Sequence, residues 1–172
     1  MDAPIIIAGS GRSGTTWVQD VLAIANDRDT VFEPLHPAGA KKARPFSYKY
    51  HDPSEKVDDL YRFINTALKG EMRTLWAVYR IRPDKFNPIK HKPKYVIAHF
   101  RKFLTHLRKY KLPSGQRALV VKFIRANLLL PWMSQNFNSP MVLLLRHPCA
   151  VIASRLSIPD RDWDAQVAID RY

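Results

Sequence analysis

The apolar positions fall into two kinds of run. Short continuous runs read as buried strands: Ile5-Ile6-Ile7-Ala8, closed by Gly9; Val31-Phe32, ending at Glu33-Pro34; Ala118-Leu119-Val120-Val121, ending at Lys122; and Met141 to Leu145, ending at Arg146. Their length, their β-branched content and their flanking residues set them apart from helices. Between them the period becomes helical. A helix is predicted from near Gly14 to about Asn26, with Trp17, Val21, Leu22 and Ile24 on its apolar face. A capping pattern at Ser54 leads into Val57, Leu60, Tyr61, Ile64 and Leu68, with Gly70 as the stop. From Tyr95 to about Tyr110, Phe100, Phe103, Leu104 and Leu107 mark a basic amphipathic helix. Asn127 to about Gln135 reads as helix. Pro148 opens the first turn of a helix carrying Ala150 to Leu156, and Trp163 to Tyr172 begins another. Residues 35–54 read as loop and Pro113-Ser114-Gly115 as a turn. The stretch 71–94, broken by Pro83, Pro88 and Pro93, yields no element.

Apolar strands alternating with helices predict a three-layer α/β fold: a central parallel sheet covered on both faces. Such sheets bind ligands at the carboxyl ends of their strands. Residues 1–172 form one predicted domain, with a basic insertion at about 37–115. Composition agrees, since 46% apolar and 25% charged residues are an ordinary globular mixture. No apolar run approaches the roughly 20 residues of a membrane span. The N-terminus has no basic leader, and the single cysteine, Cys149, forms no internal disulfide; a cytoplasmic protein is the expectation.

Charge changes the picture more. The chain carries +13, which favours phosphate, sulfate or polyanionic partners. Between Arg80 and Lys111 stand eleven Lys or Arg against one acid, Asp84. That segment is read either as a solvated face or as a docking surface for an anionic partner. No nucleic-acid motif accompanies it, so no specific nucleic acid is expected.

Three stretches with chemical content fall at predicted strand ends: Gly9 to Trp17, Arg146-His147 and Lys122. Gly9-Ser10-Gly11-Arg12-Ser13-Gly14-Thr15-Thr16 joins a strand to a helix. Its glycines permit a tight turn, and the helix N-terminus and two threonine hydroxyls add donors, which makes an anion cradle. Gly9 and Gly14 have the spacing of an ATP-binding loop, but Thr15 stands where such a loop has lysine, and no acidic magnesium ligand ends a later strand. The second stretch is Arg146, leaving its strand with a fork of donors suited to a phosphate dianion, with Ser154 eight residues on. A further stretch is Phe32-Glu33-Pro34-Leu35-His36, a carboxylate and an imidazole beyond the second strand.

The loop Arg12-Ser13-Gly14-Thr15-Thr16-Trp17 resembles the 5′-phosphosulfate loop of sulfotransferases that use 3′-phosphoadenylyl sulfate (PAPS). Met141 to Arg155 resembles the same family's 3′-phosphate segment, with His147 where the family commonly has Asp. Arginine at the first loop position is similar to the carbohydrate and tyrosyl-protein branches, and Glu33-Pro34-Leu35-His36 resembles the Glu-Pro-Leu-Trp-His run of the carbohydrate branch without its Trp. The resemblance spans about residues 4–36 and 118–158. It implies sulfuryl transfer from PAPS to a hydroxyl of a carbohydrate, an already acidic glycan included, with no metal and with 3′,5′-ADP (PAP) as product. Arg12, Ser13, Gly14, Thr15, Thr16, Trp17, Arg146 and Ser154 would hold the nucleotide, the amides of Ser13 to Thr16 taking its 5′-phosphate. Arg12 would stabilise charge on the bridging oxygen, and Glu33, then His36, would serve as base. The histidine base of the cytosolic branch is absent, since Lys122 is followed by Phe123-Ile124. The family's later basic, glycine-containing loop has no counterpart after Ser154, which implies that the C-terminal part of the family fold is missing. A nucleotide kinase or NTPase, and a non-catalytic basic module binding nucleic acid or acidic glycan, are the alternatives.

Overall fold

The computed structural model describes residues 2–37, 39–81, 101, 103–110 and 112–157. Its centre is a four-stranded parallel sheet built from β1 (Ile5–Gly9), β2 (Asp29–Phe32), β3 (Leu119–Phe123) and β4 (Met141–Leu144) in the order β2-β3-β1-β4. In register, Ile6 faces Val121 on one side and Met141 on the other, while Val31 lies opposite Val121. All strands run the same way, so Gly9, Phe32, Phe123 and Leu144 end at one edge.

Alternation along β1 sends Ile6 and Ile7 to opposite faces. Ile6 joins the larger core, with Leu60, Ile64 and Ala67 of helix α2 (Asp58–Leu68) and Leu129, Trp132 and Met133. Ile7 joins Val120 and Ala23 of helix α1 (Thr15–Ala25), with Val18, Leu22 and Leu144 packed beside them. Helices therefore cover both faces. Helix α3 (Leu75–Tyr79) lies against β2, a helical stretch over 103–109 forms α4, and a 3-10 turn (Asn127–Leu129) leads into α5 (Leu130–Asn136).

The structure corrects several expectations. Ser54 does not cap α2: its amide and hydroxyl bond Asp52 Oδ1, and the helix starts after Val57, where Asp58 and Asp59 meet the positive end of the helix dipole. Gly70 does stop it, at φ +71°, with Glu71 N donating to Thr66 O. Helix α3 lies in a stretch where the sequence predicts nothing. Strand β4 is not buried: Leu143 is 50% exposed, and Leu145, just beyond it, 85%. Among the described residues it is one of the two edge strands of the sheet, β2 being the other, and α6 (Pro148–Leu156) after it has no fully buried residue. The N-terminal part of the expected Tyr95–Tyr110 helix and the expected 163–172 helix lie outside the described residues.

Candidate functional site

The loop from Gly9 to Thr16 closes on itself. Ser13 gives both its amide (3.1 Å) and its hydroxyl (2.6 Å) to the carbonyl of Ser10. Gly14, at φ +96°, is the N-cap of α1, and the first helical bond runs from Val18 N to Gly14 O. The amides of Gly14, Thr15, Thr16 and Trp17 precede that bond, which is the arrangement that lets a helix N-terminus hold an anion. Of the amides from Ser13 to Thr16 that the sequence offers as donors, that of Ser13 is engaged by Ser10 O. The Thr15 side chain is buried, and a Cβ on Gly9 would meet its methyl at 3.0 Å. The position that carries lysine in ATP-binding loops thus faces the interior here. Trp17 stands 70% exposed beside the loop.

Two groups of side chains gather around this loop. The outer group comes from both ends of the chain. Arg12 Nε donates to Ser154 Oγ at 3.0 Å across 142 positions of sequence. Arg146 Nη1 donates to the Arg12 carbonyl at 2.9 Å. Neither arginine has a carboxylate within ion-pairing distance among the described residues. Arg12, Arg146 and Ser154, predicted from separate motifs, form one rim on which both arginines are exposed.

The inner group is largely buried and mostly neutralised. Lys122, on the interior strand β3, sends Nζ 2.8 Å to Thr16 Oγ1 and 3.0 Å to Glu33 Oε1. Arg125 Nη1 holds the other oxygen of Glu33 at 2.8 Å. Lys122 Nζ also lies 3.6 Å from the Phe32 ring centroid, and the Arg80 guanidinium lies 4.7 Å from the same ring. Arg80 pairs with Asp20 and donates to Gln19 Oε1, while Gln19 Nε2 donates to Val31 O and Val120 O. Burial pulls the Lys122 ammonium down to about 8, with the Glu33 charge opposing that shift and Arg80 adding to it. Lys122, Arg125 and Arg80 thus share the carboxylates of Glu33 and Asp20.

Backbone strain concentrates at the same edge. Arg12 (φ +74°), Glu33 (+44°), Tyr48 (+60°) and Arg80 (+57°) are non-glycine residues in the left-handed region, and among the described residues only Asp27 joins them elsewhere. Such residues persist where surrounding contacts fix them, and they gather at functional sites. Glu33 is fixed by its amide, which donates to Lys122 O at 2.9 Å.

The structure therefore brings Arg12, Ser13, Gly14, Thr15, Thr16, Arg146 and Ser154 to one place, with Glu33 on its inner side. Glu33 is not a free carboxylate, since both oxygens accept from cations. His36 is buried against Trp76, ring centroids 4.6 Å apart, and its amide donates to Glu33 O. Arg80, counted in the sequence with the basic segment, is instead interior and paired with Asp20, so it is no part of a docking face. Of that segment, Arg101, Arg108 and Lys109 are exposed among the described residues. Sequence reasoning places Lys122 among the strand ends with chemical content but gives it no specific role, and it misses Arg125. One signal is present for both: cations at or just past the end of an apolar strand whose neighbours end in ligand-binding stretches.

Among the described residues, no group of three His, Cys, Asp or Glu side chains is placed to hold a metal ion, and no helix is long and apolar enough to cross a membrane. The chain matches no known family model, and no curated protein is significantly similar to it.

Proposed function

We propose that the chain is a PAPS-dependent sulfotransferase on a P-loop-type three-layer fold, acting on a hydroxyl group of a carbohydrate. The observation that carries this reading is the outer rim. The residues that resemble the 5′-phosphosulfate loop and the 3′-phosphate segment are far apart in sequence, yet Arg12 touches both Ser154 and Arg146. The strand order, with β1 between β3 and β4 and the loop leaving β1, also suits a P-loop-type fold.

In this reading the amides of Gly14 to Trp17 and the Thr16 hydroxyl take the 5′-phosphate. Arg146 and Ser154 take the 3′-phosphate, where a guanidinium fork suits a dianion. The acceptor oxygen attacks sulfur, and the bond from sulfur to the bridging oxygen breaks. Its electron pair stays on PAP. Arg12 from the outer side and Lys122 from the inner side meet the charge that develops there, so stabilisation by pre-placed cations dominates. Glu33 takes the acceptor's proton. A carboxylate has about four lone-pair sites, and Lys122 and Arg125 occupy two of them. Both cations also fix the carboxylate's orientation, a positioning role that His36, packed on Trp76, is less able to fill.

Calorimetric titration with PAP and with 5′-AMP, without added metal, tests the reading. PAP is expected to bind at least about tenfold more tightly, the value of one charge-assisted contact to the 3′-phosphate. Equal affinities, or binding only of magnesium ATP, would defeat it.

A further inference from the structure

Arg80 stands where a helix end calls for glycine. It closes helix α3 at φ +57°, its amide donating to Trp76 O at 3.0 Å and the next amide, of Ile81, to Leu75 O at 3.2 Å. Glycine takes that conformation without strain. The side chain adds a second cost, because the guanidinium is buried and its Nε has no hydrogen-bond partner among the described residues. Asp20 does not demand this arrangement, since its side chain is 30% exposed and can meet water. What the strained position achieves is placement. Asp20 and Gln19 grip the guanidinium, which lies 4.1 Å from the ring centroid of Tyr110, just past α4, and 4.7 Å from that of Phe32. Lys122 Nζ lies 3.6 Å from the same Phe32 centroid. Two like charges thus share one aromatic ring, and an ammonium, unlike a guanidinium, can give up its proton.

We infer that Arg80 is a positioning residue for Lys122: its charge, fixed beside the Phe32 ring, holds the ammonium on Thr16 and Glu33. The inference rests on the proposed sulfotransferase reading for what Lys122 does there, whereas the link between the two cations stands apart from that reading. Among the described residues, Glu33 and Asp20 favour the charged form of Lys122, while Arg80 and burial oppose it. Arg125 reaches Lys122 through Glu33. Asp20 and Arg80 therefore act on Lys122 with opposite signs although they are each other's partners. That opposition separates a placed charge from packing. If Arg80 only filled space, loosening either partner would admit water and strengthen proton binding at Lys122 in both cases.

The test follows the lysine Cε signals of the full chain, labelled with ¹³C-lysine, against pH by NMR. The Lys122 signal is the one missing from Lys122→Met, and its midpoint in the wild type is expected near about 8. Arg80→Met should move it up by roughly half a pH unit or more, at least about threefold in proton affinity, since a like charge is gone. Asp20→Asn should move it down. Arg80→Lys, which keeps the charge, should stay closer to the wild type than Arg80→Met. The fall of PAPS turnover with rising pH should shift in step with each midpoint. Midpoints that rise in both Arg80→Met and Asp20→Asn, or that stay where they are, overturn the inference. If Arg80→Met does not fold, the downward shift in Asp20→Asn decides alone. A wild type that never turns over PAPS strikes the sulfotransferase reading, and the Cε midpoints still judge the link between Arg80 and Lys122.

Discussion

The outer rim and the inner network carry the same kind of side chain and treat it in opposite ways. Inside, Lys122 and Arg80 are buried, Arg125 is nearly so, and all three are answered by Glu33, Asp20 and the Phe32 ring. Outside, Arg12 and Arg146 are exposed and, among the described residues, donate to a hydroxyl and a carbonyl. A buried cation must be compensated within the protein or the fold suffers. An exposed cation is compensated by water and can exchange that water for an anion. The inner charges therefore shape the site, and the outer ones remain available for a ligand. Mutations in the two groups should fail in different ways.

The largest effect is expected from Glu33→Gln. It leaves Lys122 and Arg125 facing a neutral amide, so stability should fall by about 3 kcal/mol in chemical denaturation. PAP formation from PAPS should nearly cease while PAP affinity holds. If stability and turnover are both unaffected, the inner network is not a network. Lys122→Met comes next. Loss of one pre-placed cation should lower turnover by about 10²–10³-fold, measured at saturating PAPS.

Lys122 also sets a pH limb. Its folded value of about 8 lies below the ordinary 10.5 of a lysine. Between those values the unfolded chain binds the proton that the folded chain has released. The Lys122 contribution to stability therefore rises with pH across that window, and below it the cost of burying the charge is present in full. Catalysis should run the other way and decline as pH rises through about 8, because the cation is lost. Lys122→Arg should remove that decline, read from turnover against pH.

At the rim, Arg146→Ala should cost about tenfold in PAP affinity and erase the preference over 5′-AMP, yet alter stability by no more than about 0.5 kcal/mol. Arg12→Ala should lower turnover more than PAP affinity, since its role grows as the bridging bond breaks. The smallest effect is expected at α4 and at Arg101 just before it. Arg101, Arg108 and Lys109 changed together to Gln should leave PAP affinity unaltered and only weaken retention of the protein on a heparin column.

Much of this edge is legible in the order of the amino acids. Strand β1, the turn at Gly9 to Gly14 and the span of helix α1 follow from period and glycine placement, but the buried face of that helix does not: Trp17, Val21 and Ile24, expected on it, are exposed, while Thr15, Gln19 and Ala23 are buried. The meeting of Arg12 with Arg146 and Ser154 is implied by two strand ends in one parallel sheet. The inner network is not legible, because a charged residue in a basic run looks the same whether it faces water or a carboxylate. Arg80 shows this: nothing in its neighbours announces that Asp20, on another helix, is its partner. Strand β4 shows a different limit. An apolar run states that a strand forms, but not whether a neighbour lies on both flanks. Helix α3, Leu-Trp-Ala-Val-Tyr, is too short to display a period, and its capping Thr74, whose hydroxyl accepts from Ala77 N, is a weak signal beside three later prolines.

Gln19 has a mechanical consequence. Its amide nitrogen spans the carbonyls of Val31 and Val120, on two adjacent strands, and its oxygen takes Arg80. Helix α1, which begins at the Gly9 to Gly14 turn, is thereby riveted to the sheet at its second turn. A pull on the helix's first amides is passed to β2 and β3, and the helix does not slide. The amides that would receive an anion are consequently set before it arrives. Capture should then proceed at a rate governed by diffusion and by the field of the exposed arginines, with salt as its main brake and no slow closing step to wait for.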